Sequence, residues 1–116
     1  MKLYLACIAL LAACATIGTS QPPADWPKLE IIIVTVPDAQ MRALCTFRGV
    51  LLSSRACALI NFDAMKCIIV ESQDNPMTPE IRRHEGADGK EGHCQGYDHT
   101  GEDTLRRAWE KLKARR

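Results

Sequence analysis

The sequence has no large charge imbalance and no apolar run long enough to cross a bilayer. Its 116 residues include 15 Lys and Arg against 14 Asp and Glu, and the two signs balance once Lys2 is set aside. Nucleic-acid surfaces need clustered basic charge, so we expect no nucleic-acid partner. The sequence also lacks a phosphate-binding glycine loop, an arrangement typical of a serine or cysteine nucleophile, and internal repeats. These absences argue against nucleotide hydrolysis and against hydrolysis through a covalent intermediate.

Residues 1–13 have the pattern of a secretory signal peptide, with a positive charge at Lys2 followed by an apolar run that is too short to span a membrane. The string Leu11-Ala12-Ala13-Cys14 resembles the bacterial lipobox, whose cysteine is lipidated. An ordinary signal peptide, cut between Ala15 and Gln21, is the alternative. We therefore predict export to the periplasm or cell envelope, with a lipid anchor on Cys14 attaching the protein to the membrane as the favoured form.

Cysteine usage agrees with an oxidising compartment. Export would remove Cys7 and lipidation would use Cys14, which leaves four cysteines: Cys45, Cys57, Cys67 and Cys94. An even number in a small exported chain favours disulfides, and four cysteines allow three connectivities. The favoured pairing joins Cys45 to Cys57 and Cys67 to Cys94, and the competing interpretation makes Cys94 a metal ligand.

The rest of the chain predicts a proline-rich tether over residues 14–28 and one small domain over residues 29–116. The β-branched run from Leu29 to Val36 predicts a well-buried strand, and residues 39–47 predict either a short helix or a second strand. Residues 56–62 and 67–71 are typical of two strands in an antiparallel hairpin. A turn is expected before this hairpin, at Ser53-Ser54.

Two helices follow. Thr78-Pro79-Glu80 is a helix start with Thr78 as the N-cap, and the glycines after Glu85 predict that this helix ends there. Residues 102–116 predict an amphipathic helix whose apolar side chains share one face: Leu105, Ala108, Trp109 and Leu112. The expected fold is α+β, with a short, mostly antiparallel sheet, a motif helix, a C-terminal helix over the core, and disulfide staples.

All three histidines of the chain lie within sixteen residues, at His84, His93 and His99. Neutral imidazole is the commonest side-chain ligand of zinc in proteins, so this clustering predicts a zinc site. A carboxylate directly after the first histidine, here Glu85, is what a metal-assisted hydrolase uses as its general base. From His93 onward the spacing is that of the second half of HExxHxxGxxH, the extended metzincin motif.

The segments Arg83-His84-Glu85, Gly92-His93-Cys94-Gln95-Gly96-Tyr97 and Asp98-His99 resemble a group of small exported bacterial proteins of unassigned role. That group carries an RHExGHCxGW-type motif followed by Asp-His and is similar to minimal zincins. The resemblance covers Cys67 to Trp109. It implies a zinc metallopeptidase that acts on a peptide or protein substrate, with the three histidines as ligands and Glu85 activating water.

The chain departs from the HExxH pattern because seven residues separate Glu85 from His93, where the motif has two. In a continuous helix, nine steps of 100° would turn His93 to the side opposite His84. A five-residue insertion within GADGKEG would instead loop out and return His93 to His84. If the insertion does not bring His93 back to His84, the alternative function is a non-enzymatic cell-envelope lipoprotein that acts as a binding or structural module.

Three further side chains in this region are secondary candidates. Asp88 and Glu91 would replace a missing metal ligand, and Tyr97 would stabilise an oxyanion near the metal. The Asp88-Gly89-Lys90 segment lacks the alternating acids and the final glutamate of an EF-hand, so a calcium loop is not expected.

Overall fold

The structure is a computed structural model that describes residues 19–47, 50–51 and 55–116. The predicted signal peptide, the lipidation site at Cys14 and the predicted turn at Ser53-Ser54 lie outside the described residues. In chain order the elements are β1 (Thr19–Ser20), β2 (Glu30–Val36), α1 (Asp38–Leu44), β3 (Thr46–Phe47), β4 (Val50–Leu51), β5 (Ala56–Asn61), β6 (Lys66–Ser72), α2 (Pro79–Glu85), a 3₁₀ turn (His93–Gln95), β7 (Asp98–His99) and α3 (Thr104–Ala114). The predicted α+β class is confirmed.

The main sheet has three strands in the order β2-β6-β5. β5 and β6 form the predicted antiparallel hairpin, with Ala56 opposite Glu71, while β2 pairs with β6 in parallel. The small β1-β7 and β3-β4 pairs are both antiparallel. β2 is an edge strand, and Ile33 within it is 38% exposed. The prediction that this strand is well buried was therefore wrong, because an apolar run does not reveal whether its strand lies at the edge of a sheet.

The hydrophobic core has two parts, and each contains one disulfide. Successive side chains of β6 point to opposite faces of the sheet, as strand geometry requires. One cluster consists of Leu29, Cys67, Ile69 and Cys94, and the other of Met41, Cys45, Cys57 and Val70. Cys45 is bonded to Cys57, and Cys67 to Cys94, in the favoured of the three connectivities.

Because Cys94 is disulfide-bonded, it does not offer a thiolate to a metal, and the interpretation of Cys94 as a ligand was wrong. The bond instead joins the 3₁₀ turn to the central strand of the main sheet. The residue next to His93 is thereby attached to the best-buried element of the domain.

The described part of the predicted tether packs against the domain. Trp26 donates a hydrogen bond from Nε1 to the carbonyl oxygen of Cys94 at 3.0 Å. Its ring meets those of Phe62 and Trp109 edge-on, with centroids 5.5 and 6.3 Å away. The prolines predict an extended tether; in the structure the chain makes a turn at residues 24–25, where the N–H of Trp26 donates to the carbonyl oxygen of Pro23, and this large aromatic ring packs on the domain.

The C-terminal helix α3 is slightly shorter than predicted. Trp109 is its buried residue, and its last turn is basic, which suits the negative end of the helix dipole. At its start, the backbone N–H of Leu105 donates to both carboxylate oxygens of the buried Asp98. None of the helices in the described ranges is long and apolar enough to cross a membrane.

Candidate metal site

The first histidine lies in the last turn of α2. Thr78 caps this helix as predicted, with its Oγ1 accepting a hydrogen bond from the N–H of Ile81 at 3.3 Å. The helix ends at Gly86, whose φ of +94° is left-handed and disfavours any other residue. The N–H of Gly86 donates back to the carbonyls of Arg82 and Arg83, which completes the last turn. His84 is therefore held on an exposed turn directly before a sharp change of chain direction.

Beyond Gly86 the chain loops out and returns. Gly92 lies against the backbone of Gly86, and a Cβ placed on Gly92 would sit 2.2 Å from the Gly86 nitrogen. That clash with backbone atoms explains why the returning residue is a glycine. The loop brings the 3₁₀ turn to the end of α2, so the two halves of the histidine motif meet instead of facing apart.

The third histidine reaches the site through a second left-handed glycine. Gly96 has a φ of +91° and redirects the chain from the 3₁₀ turn into β7, as the motif predicts for this position. β7 pairs with β1, and the hydroxyl of Ser20 donates to the carbonyl of His99 at 3.2 Å. His99 is thereby placed beside the other two rings.

The three imidazoles point their Nε2 atoms at one another. The Nε2 of His84 lies 2.9 Å from that of His93 and 3.0 Å from that of His99. One ring nitrogen from each residue lies within 4.8 Å of the other two. Bonds of about 2.0–2.1 Å to a tetrahedral zinc would separate its nitrogen ligands by about 3.3 Å. The spacing found here is slightly tighter, and a small outward movement of the rings would fit the ion.

In His93 and His99, the hydrogen bond made by Nδ1 determines which ring nitrogen carries the proton. Nδ1 of His93 is 2.6 Å from the carbonyl oxygen of Tyr97, and Nδ1 of His99 is 3.0 Å from Oε2 of Glu102. A carbonyl or an ionised carboxylate can only accept, so both Nδ1 atoms carry the proton. In the neutral rings each Nε2 then presents a lone pair toward His84. A single proton on the Nε2 of His84 can satisfy one of these two lone pairs, whereas a cation would bind both of them together with the Nε2 lone pair of His84 in its other tautomer.

The protonation equilibria favour the form that binds metal. Burial, together with the neighbouring His84 and His99, lowers the pKa of His93 to about 4, although its bond to Tyr97 opposes the shift. Partial desolvation of its ring and the nearby His99 also lower the pKa of His84. Metal ligation requires neutral imidazole, and both rings are neutral at pH 7.

Glu85 differs sharply from its neighbour on the helix. His84 is exposed, whereas Glu85 is only 4% exposed, and its Oε2 has no hydrogen-bond partner among the described residues. Burial raises the pKa of Glu85 to about 7. The donor atoms that converge within 4.8 Å belong to the three histidines and do not include its carboxylate. Its role as a general base therefore stays a prediction.

The secondary candidates lie outside the convergent group. Asp88 is exposed and pairs with Arg82 at 3.7 Å, and Glu91 is exposed as well. Tyr97 contributes its backbone carbonyl to His93. The residue that sequence reasoning missed is Glu102. Its position three residues after His99 could have indicated a carboxylate that accepts a hydrogen bond from that ring.

Comparisons with protein-family models, with curated proteins and with solved structures found no match for this chain. The functional argument therefore depends on the geometry of the three histidines and their hydrogen-bond partners.

Proposed function

We propose that the protein is an exported zinc metallopeptidase-like hydrolase whose zinc ligands are His84, His93 and His99. The observation that carries this proposal is the convergence of three Nε2 atoms. In two of the three rings, the hydrogen bond of Nδ1 fixes the tautomer that metal binding requires. Metal-ligating histidines almost always donate their other ring N–H to a carbonyl or carboxylate. Both kinds of acceptor are present here.

The number of ligands and their exposure favour a catalytic site over a structural one. Structural zinc sites are closed by four protein ligands, while catalytic sites use three and keep one position open. The convergent group among the described residues has three members, two of them exposed. When bound at such a site, zinc polarises a substrate carbonyl and lowers the pKa of water toward neutrality.

The chain itself would supply orientation and proton transfer. Tyr97 and Glu102 keep the Nδ1 protons in place, so that the lone pairs of His93 and His99 remain directed into the site. Glu85 would accept a proton from the water that attacks the peptide carbonyl and pass it to the leaving amine. Its raised pKa places it near the range that such an acid–base group needs.

Export of the protein is part of the proposal. Two disulfides in a domain of this size are typical of an oxidising compartment and agree with the periplasm or cell envelope. The signal peptide and the lipid anchor on Cys14 are predictions from sequence. With that anchor, the domain would act at a membrane surface on peptide or protein substrates.

The alternative is a non-enzymatic cell-envelope lipoprotein that acts as a binding or structural module and keeps either a structural metal or only its disulfides. The burial of Glu85 is the observation that favours it, because a general base must reach a water in contact with the substrate. Where the lipoprotein keeps the metal, the two functions share the zinc site and differ in whether Glu85 takes part in chemistry.

Zinc titration followed by a peptidase assay separates these possibilities. We expect one zinc per chain in protein with intact disulfides, and peptide hydrolysis that falls about 10²- to 10⁴-fold in Glu85→Gln while zinc binding is kept. Asp88→Asn makes the same chemical change on an exposed loop residue and serves as the control. Zinc binding without hydrolysis would support the lipoprotein, and absence of zinc after loading would contradict the hydrolase and any metal role in the lipoprotein.

Glu102 provides a second test of the site. Removing a hydrogen-bond partner behind a ligand typically costs about 10- to 100-fold in metal affinity, so Glu102→Gln should raise the zinc Kd by that factor. Competition with a chromogenic chelator measures it. Glu110→Gln makes the same change at an exposed position of α3 in contact with Lys113, and is the matched control. Equal Kd values for the two variants would show that Glu102 does not orient His99.

A further inference from the structure

The side chain of Gln95 bridges the two ends of the loop that interrupts the histidine motif. Its Nε2 donates to the carbonyl oxygen of Gly86 at 3.0 Å, and its Oε1 accepts from the N–H of Gly92 at 2.9 Å. Both atoms of one carboxamide are therefore used, one on each side of the loop. Between these contacts lie the five residues 87–91.

The ends of this loop are almost as close as two consecutive residues. A Cβ built on Gly92 would lie 2.3 Å from the Cα of Gly86. With a Cα–Cβ bond of about 1.5 Å, the two Cα atoms are at most about 3.8 Å apart, the separation across one trans peptide bond. Residues 87–91 thus leave the chain and return to nearly the same point. Without them, the sequence would read HEGGHCQGYDH, an uninterrupted HExxHxxGxxH pattern.

We infer that Gln95 is a positioning residue of the metal site, which closes the loop of residues 87–91 so that His93 stays beside His84. This inference rests on the proposed function. The Cys67–Cys94 disulfide attaches the 3₁₀ turn to the sheet, but it makes no connection to the helix that carries His84. The carboxamide of Gln95 makes that second connection, at the carbonyl that ends the helix.

The need for such a connection follows from the required precision of a metal site. Ligands must be held within about 0.5 Å of their productive positions. His93 directly follows Gly92, so any opening between Gly92 and Gly86 moves the His93 ring away from His84. The hydrogen bond from Gln95 to the Gly86 carbonyl spans the loop ends and opposes this opening, while the bond from the Gly92 N–H fixes the carboxamide that makes it. In a chain without residues 87–91 a peptide bond would replace this connection.

The test combines Gln95→Ala with deletion of residues 87–91, singly and together, and measures the zinc Kd of each protein. With the loop present, Gln95→Ala should raise the Kd about 10- to 100-fold. The deletion alone should stay within about threefold of the original protein, and Gln95→Ala should then add less than about threefold. An equal effect of Gln95→Ala in both backgrounds, or none with the loop present, would overturn the inference.

Two variants and one metal-free measurement keep the test decisive. Gln40→Ala makes the same change on an exposed position of α1 and should leave the Kd unchanged. Gln95→Glu keeps the acceptor for Gly92 but loses the donor to Gly86, so it should weaken zinc binding at least as much as Gln95→Ala. In metal-free protein, amide hydrogen exchange at Gly92 should be at least about tenfold faster in Gln95→Ala. If the deletion variant does not fold, the single variants and this exchange rate decide. If the original protein binds no zinc, the proposed function fails, whereas unchanged exchange at Gly92 shows that Gln95 does not close the loop.

Discussion

Replacing His93 by alanine is expected to raise the zinc Kd on the order of 10²- to 10³-fold. Structural zinc sites with four ligands bind with about 10–16 kcal/mol, so one ligand is worth roughly 3–4 kcal/mol. His93 is the ring that the protein holds most firmly, through the carbonyl of Tyr97 at 2.6 Å and the neighbouring disulfide. Its loss leaves two exposed histidines, which do not enclose an ion.

The measurement is a competition titration of the intact protein, with far-UV circular dichroism to show that the variant is folded. His84→Ala and His99→Ala should show losses of similar size, because each removes one of three convergent nitrogens. Gln40→Ala is again the remote control. An affinity that is unchanged in His93→Ala would mean that zinc binds elsewhere on the chain.

Removing the Cys67–Cys94 disulfide should be the most damaging change to stability and should also weaken the metal site. The two cysteines are 27 residues apart, and closing a loop of this length restricts the unfolded chain by about 3–4 kcal/mol. The Cys67→Ala/Cys94→Ala double variant should therefore lose about that much free energy of unfolding. Because the bond also attaches the turn that carries His93 to β6, its zinc Kd should rise at least about tenfold.

The Cys45–Cys57 disulfide is the matched control for this prediction. It spans 12 residues and lies in the other core cluster, away from the histidines. Cys45→Ala/Cys57→Ala should cost about 3 kcal/mol of stability, measured by urea denaturation, and leave the zinc Kd within about twofold. Equal changes of Kd in the two double variants would show that the disulfides act on the site only through overall stability.

Local signals explain the parts of the fold that were predictable. The helix beginning after Thr78 has its N-cap, its proline and its terminating glycine in the sequence, and the structure uses all three. The β5-β6 hairpin follows from two apolar runs with a short connection. The amphipathic spacing around Trp109 places α3 on the core. Each of these depends on residues within a few positions of one another.

Other features depend on contacts between distant parts of the chain and had no such signal. β2 lies at the edge of the main sheet because it pairs with β6 on one side alone among the described strands, and this pairing is parallel. Trp26, in the described part of the predicted tether, packs on Phe62 and Trp109, which are 36 and 83 residues away in sequence. Composition describes the backbone such a segment prefers, but it does not show what its one large side chain contacts.

The candidate site also has features that local sequence predicts and features that depend on contacts between distant residues. The sequence by itself determined the ligand chemistry: three imidazoles with Glu85 next to the first, and a glycine at each position where the chain must turn. Only the tertiary structure decided that the two parts of the motif meet, because helical periodicity predicts opposite sides for His84 and His93. Their meeting depends on the close approach of Gly92 to Gly86 and on the hydrogen bonds of Gln95, which periodicity does not describe.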